Sequence, residues 1–133
     1  MVRQRERHRG RRGGRRHRRR IGRFLEPCLL LLLHMSASYG YELAEALAQF
    51  GLSDVDSSLV YRNLREMEAA GLVQSEWDAA SSAGPARRVY RLTDSGERHL
   101  AAWVADLHGI DRELHHFLET YDRHIREDKG ERR

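Results

Sequence analysis

Cysteine occurs once in the chain, at Cys28, and proline twice. A lone thiol excludes an internal disulfide framework and a cysteine-rich zinc site. It stands in the apolar run Pro27-Cys28-Leu29-Leu30-Leu31-Leu32-Leu33, where a buried, inert thiol is expected. Long hydrophobic stretches are also missing. The run ends at His34, too soon to cross a bilayer. It follows a basic segment and precedes Ser36-Ala37-Ser38, as a secretory leader would. Yet it falls short of the roughly 7–15 apolar residues such a leader needs, and Glu26-Pro27 interrupts its approach. No membrane partner is expected, and the expected location is the cytoplasm, on the nucleoid. Glycine-rich phosphate loops, nucleophile elbows and paired-carboxylate patterns are absent. Asp94-Ser95-Gly96 with His99 imitates a catalytic pair, but it sits at a predicted helix start, where Asp and Ser serve as caps. Among the eight histidines, His108, His115, His116 and His124 fall late in the chain, beside Asp111 and Asp122. No HExxH pattern or nearby cysteine accompanies them, so they read as polar positions on an exposed helix face. No enzyme activity, metal or other cofactor is expected.

What is abundant is arginine, unevenly placed. Residues 1–20 contain eleven Arg and one Glu, whereas the remaining 113 residues hold 13 Lys+Arg against 19 Asp+Glu. The net charge of +4 therefore belongs to the N-terminal segment. Residues 1–23, rich in Arg and Gly, have too little apolar surface to offset ordering entropy and are expected to form a disordered basic tail. Its guanidinium groups suit nonspecific phosphate contact, with a merely solubilising tail as the alternative. The rest, at 133 residues in all with 40% hydrophobic and 33% charged, fits one soluble globular domain.

From residue 24 the pattern is that of a folded chain. Pro27 suits a helix's first turn, and Cys28 to Met35 continues it as an almost wholly apolar, buried element. Ser38-Tyr39-Gly40 reads as a turn, with Ser38 capping a second helix over Tyr39–Gln49. That helix has an apolar face of Leu43, Ala46, Leu47 and Phe50, and Gly51 stops it. Asp56 caps a third helix, Ser57–Ala70, whose Val60, Leu64 and Met67 share one face; Gly71 ends it. Leu72–Trp77 reads as a strand, Asp78–Ala86 as a loop, and the alternating Arg87–Leu92 as the returning strand of a two-stranded hairpin. Trp77 is expected to pack. Thr93 or Asp94 caps a long last helix, with Glu97 closing a capping box on Asp94. Along it Leu100, Trp103, Leu107, Ile110, Leu114, Phe117 and Tyr121 recur at alternating spacings of three and four, a heptad seam. Gly109 is a weak point, and residues 127–133 are expected to fray.

Three short helices followed by a hairpin is the order of a winged helix-turn-helix. A helix fits the major groove, and hairpin cations reach the backbone beside it. With Val60, Leu64 and Met67 inward, Ser58, Leu59, Arg62 and Arg65 face out, flanked by Ser57 and Tyr61. Arg62 suits guanine, Ser58 a base or phosphate, and Leu59 a thymine methyl; a solvated charged face is the alternative. In the hairpin, Gly84-Pro85-Ala86-Arg87-Arg88 places two cations to grip phosphates, the alternative being an edge strand made soluble by charge.

Several stretches in this order resemble the PadR family of transcriptional regulators. They are Leu30-Leu31-Leu32-Leu33, Tyr39-Gly40-Tyr41-Glu42-Leu43, Ser57-Ser58-Leu59-Val60-Tyr61-Arg62-Asn63-Leu64 and Glu68-Ala69-Ala70-Gly71-Leu72-Val73. The last runs from Gly84-Pro85-Ala86-Arg87-Arg88 through Val89-Tyr90-Arg91-Leu92-Thr93 to Gly96. The resemblance covers residues 24–122; the long Arg-rich tail departs from it. It implies a dimeric repressor in which Tyr39 binds phosphate, Ser58, Tyr61 and Arg62 face the major groove or its rim, and Arg87 and Arg88 serve the wing.

The expected fold class is accordingly mainly α (α+β): a winged helix-turn-helix domain at 24–92 with a two-stranded β wing, and a long C-terminal dimerisation helix at 93–126. The partners expected are duplex DNA, at a palindromic operator, and a second copy of the chain. Trp103, on the seam, is also a candidate contact for a small-molecule effector, although an aromatic at this spacing also fits a core. Two other functions remain open: nonspecific nucleic-acid binding driven by the tail, and a winged protein-interaction module.

Overall fold

In the computed structural model the described residues are 24–78 and 87–131. The expected tail (1–23), most of the hairpin loop including Gly84-Pro85-Ala86, and residues 132–133 lie outside them. The chain divides into two units, Met1–Leu100 and Ala101–Arg133.

The first unit begins with α1, helical over residues 24–35. Leu25, Cys28, Leu29, Leu30, Leu32 and Leu33 are all buried, which makes this helix the apolar centre that its leucine run implies. Burial pushes the Cys28 thiol up to about 11, so it is held as the un-ionised, unreactive form near neutral pH.

The next stretch corrects the sequence-based expectation. Ser38–Tyr39 is not a capping turn but a short strand, β1. It pairs antiparallel with a later strand, Ser38 opposite Tyr90 and Tyr39 opposite Val89. Helix α2 (Gly40–Ala46) therefore takes Tyr39 as its N-cap residue, without a side-chain cap bond, and the Ser38 hydroxyl turns back to the Ser36 carbonyl. The last turn tightens into a 3₁₀ segment, Leu47–Phe50, closed by Gly51 at φ 76°. In α3 (Ser57–Ala69) the Asp56 carboxylate accepts from the Ser58 N–H at 3.1 Å, the expected cap. Val60, Leu64 and Met67 are buried along one stripe. Gly71 follows at φ 77°, a left-handed conformation that a side chain would strain.

Strands β2 (Val73–Asp78) and β3 (Arg87–Leu92) form the ribbon in the register Ser75–Tyr90 and Trp77–Arg88. With β1 the sheet has three strands, ordered β1-β3-β2, not two. No described helix is long and apolar enough to cross a membrane.

Helix α4 spans Asp94–Glu131, passing through Gly109 and beyond residue 126, where the frayed end was expected. Thr93 caps it: its Oγ1 accepts from the Gly96 N–H at 3.0 Å and lies 2.7 Å from the Gly71 carbonyl. Glu97 does not close a capping box on Asp94, because its carboxylate meets His34 Nδ1 of α1 at 2.7 Å. A mirror pair joins His99 of α4 to Glu26 of α1 at 2.6 Å. Both pairs are half open to water, so each adds little stability. Leu100, the first residue of the expected seam, is buried within this first unit. The second unit is the continuation of α4. There Trp103 and Leu107 are half-buried, and Ile110, Leu114, Phe117 and Tyr121 are 54–66% exposed.

Gly96 lets the start of α4 approach the ribbon. A Cβ there would lie 2.1 Å from the Leu72 carbonyl oxygen and 2.5 Å from Leu92 Cδ1. Alanine would gain up to about 1 kcal/mol of helix propensity. The obstacle is backbone whose carbonyl already accepts from Thr93 N–H, and overpacking of this kind costs ~1–3 kcal/mol or more. Gly96→Ala is therefore expected to lower the urea midpoint; an unchanged or higher midpoint would contradict this packing.

Candidate nucleic-acid interface

The outward side of α3 follows from its inward one. Because Val60, Leu64 and Met67 occupy the buried stripe, residues on the opposite side of a 3.6-residue helix must face away. Ser57, Ser58, Tyr61, Arg62 and Arg65 are exposed there. Leu59, expected to face fully outward, is half-buried. Arg62 has a neighbour in Glu66, with Nε 3.7 Å from Oε1, but both side chains are 69% exposed. Such a pair holds its arginine weakly, which leaves the guanidinium able to rearrange toward an acceptor. Tyr61 lies against the start of α2. A Cβ at Gly40 would come within 2.4 Å of Tyr61 Cε1, so glycine at this position permits the helix-turn-helix contact. Ser38-Tyr39-Gly40 read as a turn, but nothing local tied its glycine to a tyrosine 21 residues later.

The ribbon separates the two expected wing cations. Successive residues of a strand point to opposite faces, so Arg87 and Arg88 diverge. Arg88 shares a face with its register partner Trp77. Its guanidinium lies 4.7 Å from the indole centroid, and Nη1 donates to Ser75 Oγ at 2.8 Å. Ser75 in turn donates to Glu68 Oε1 of α3 at 2.6 Å. Trp77 does not pack into the core as expected; it is 61% exposed. Tyr90 is buried on the same face. Burial raises its phenol above the ordinary range, aided by the Glu68 charge and opposed by Arg88 and Arg65.

On the other face, Arg87 lies opposite Asp78 in register. It donates to the Tyr41 hydroxyl at 3.2 Å, with its guanidinium 5.0 Å from that ring's centroid. Tyr41 stacks on Tyr39, 5.7 Å between centroids and 10° between planes. The Tyr39 hydroxyl, expected to meet phosphate, donates to the Asp78 carboxylate. That hydrogen bond raises the Tyr39 phenol above its usual range, with burial and the Asp78 charge adding. Tyr41, Ser75, Glu68 and Asp78 were not singled out in the sequence. Strand alternation was the available signal for the divergence of Arg87 and Arg88, but the partners of these arginines come from segments up to 46 residues away.

On α4, His115 and His124 pair with Glu119 and Asp128 one turn on. Among the described residues no group of three or more His, Cys, Asp or Glu side chains is placed to hold a metal ion. The depression lined by Phe117, Tyr121, His116 and neighbours is one face of a single helix, and Trp103 does not line it.

Helix, turn and helix followed by a ribbon define a winged-helix protein. A family model for the transcriptional regulator PadR-like family matches residues 29–102, more than half of the chain, and the chain belongs to that family. The family is one of transcription regulators, and the chain is not an enzyme. It is similar to a PadR-like transcriptional regulator from Bacillus cereus, at 30% identity over 71% of this chain and 90% of that one, with a TM-score of 0.64. A PadR family regulator from Eggerthella lenta is 34% identical over 69% of this chain and 81% of that one, TM-score 0.59. The Bacillus subtilis PadR in complex with operator DNA shares the fold, at 22% identity, 60% and 46% coverage and TM-score 0.54. A comparison with curated proteins found no match.

The Tyr39–Asp78 bond is open to titration. Its folded pKa lies above that of the unfolded phenol. The bond's support for the fold is thus fully present below the ordinary phenol range and is lost as pH rises through the higher folded value. In absorbance titrations taken as differences against Tyr39→Phe, Asp78→Asn is expected to shift this ionisation downward. An unmoved ionisation would show that Asp78 does not control Tyr39.

Proposed function

We propose that the chain is a sequence-specific DNA-binding transcriptional regulator, a repressor, that binds a palindromic operator as a homodimer in the cytoplasm, on the nucleoid. The observation that carries this reading is the outward face of α3. Hydroxyls and two guanidiniums stand exposed at Ser57, Ser58, Arg62 and Arg65 because the aliphatic stripe is buried. In an otherwise acidic folded region, such a face is the local positive feature that phosphate and base edges require. Arg62 would read guanine, Ser57 and Ser58 would bond bases or phosphate, and Leu59 would offer its uncovered part to a thymine methyl. Tyr61 and Arg65 would lie at the rim, and Tyr39 and the ribbon would lie beside the backbone, with Arg87 and Arg88 as the ribbon's two candidate cations. The existence of a neighbour solved with operator DNA supports the same reading.

The half-open seam on α4 supports the dimer. Ile110, Leu114, Phe117 and Tyr121 form an apolar row on a helix, and Trp103 and Leu107 extend it. A second copy related by a two-fold axis would cover it and set the recognition helices about 34 Å apart. Trp103 is the proposed contact for a small-molecule effector.

The composition of residues 1–20 favours a second reading, nonspecific nucleic-acid binding by the tail. Selection from a random duplex pool with the full chain, and with residues 1–20 deleted, separates the two. Enrichment of one palindromic sequence by both forms is the expected result; no enrichment by either overturns the proposal. On the enriched duplex, Arg62→Ala is expected to cost about 1–3 kcal/mol and relax preference at one base pair. Equal loss on every sequence would remove Arg62 from base readout. Leu114→Glu should convert a dimer to a monomer in sedimentation at micromolar concentration, and a wild-type monomer would end the dimer proposal.

A further inference from the structure

We propose that Arg88, and not Arg87, is the ribbon's contact to the DNA backbone, and that Ser75, Glu68 and Trp77 are positioning residues that hold its guanidinium in register with α3. This rests on the DNA-binding reading above, but the observations are separate from those that support it.

The two arginines are adjacent in sequence and opposite in space. Arg88 stands on the face of the ribbon that also carries Ser75, Trp77 and Tyr90, and this is the side joined to α3 through Glu68. The bond sequence is directional. Arg88 donates to Ser75, and the Ser75 hydroxyl donates in turn to Glu68, so one hydroxyl links a wing cation to a carboxylate of the recognition helix. The indole of Trp77 lies against the guanidinium and fixes its plane, as cation–π contacts do. One of five guanidinium N–H groups is used in this way, and the residue remains exposed. The others are left to form the paired donors that phosphate oxygens accept. A cation held before DNA arrives loses less side-chain freedom on binding. Arg65, exposed on α3, and Arg88 both act on Tyr90, so the two cations share one neighbourhood.

Arg87 has different surroundings. Its partner is Tyr41 of α2, and Asp78 faces it across the ribbon, with Glu76 on the same face. A phosphate approaching Arg87 would meet these two carboxylates. Stacked Tyr39 and Tyr41, with the Tyr39–Asp78 bond, make this face a clasp between the start of α2 and the ribbon.

The test uses the full chain on the duplex enriched in the selection above, measuring affinity against salt. Arg88→Ala is expected to flatten the salt slope by about one per bound protomer, and Arg87→Ala to leave it unchanged. Ser75→Ala is expected to weaken binding about three- to tenfold, in keeping with a lost charge-assisted hydrogen bond. Ser75→Thr, which keeps the hydroxyl, restores it. In the Arg88→Ala background Ser75→Ala should cost nothing further, because a residue acting only through Arg88 has nothing left to position. Equal flattening by Arg87→Ala, or an undiminished Ser75→Ala cost without Arg88, overturns the proposal. Binding that depends on Arg62 but is indifferent to Arg88 sinks this inference and leaves the DNA-binding reading standing. Failure to enrich any duplex removes both.

Discussion

Burial of one aliphatic stripe governs the arrangement of the first unit. Val60, Leu64 and Met67 can leave water only if α3 packs by that side on α2 and β2. Apolar burial is worth roughly 25 cal/mol per Å², far more than the exposed Arg62–Glu66 pair, which adds at most about 1 kcal/mol. The orientation of the polar side is thus a consequence of the apolar one. The same stripe explains why serines and arginines stand outward on a short helix without charged partners that hold them firmly.

The sheet adds a second constraint. A two-stranded ribbon alone is marginal in water, and here β1 extends it on the β3 side, so that the segment just before α2 is hydrogen-bonded to the ribbon. Helix α2 and the ribbon are then tied by Tyr39, Tyr41, Arg87 and Asp78, while α3 and the ribbon are tied by Glu68, Ser75 and Arg88. Each face of the ribbon thereby has its own helix to answer to.

The beginning of α4 is fastened differently. Thr93 uses its hydroxyl both as a cap and as a link to the Gly71–Leu72 backbone, and two His–Glu pairs join α4 to α1. Glu97 illustrates how a local rule yields to a distant partner. Its position suggested a capping box, but a histidine 63 residues earlier lies within hydrogen-bond distance, and the carboxylate turns to it.

Much of this chain is readable from residue order because its signals are local. Pro27 and the apolar run after it marked α1, helix periodicity marked α3 and α4, Asp56 announced its cap, Gly51 and Gly71 their left-handed stops, and alternation marked Arg87–Leu92 to the residue. Each depends on residues within a turn or two of one another, where backbone geometry alone dictates the pattern. What the tertiary structure decided is non-local. Ser38–Tyr39 became a strand, Trp77 became a platform for Arg88, the Tyr39 hydroxyl was given to Asp78, and two neighbouring arginines were given partners on different helices. These outcomes depend on which segments meet across 11 to 52 residues, and no periodicity within a single segment carries that information.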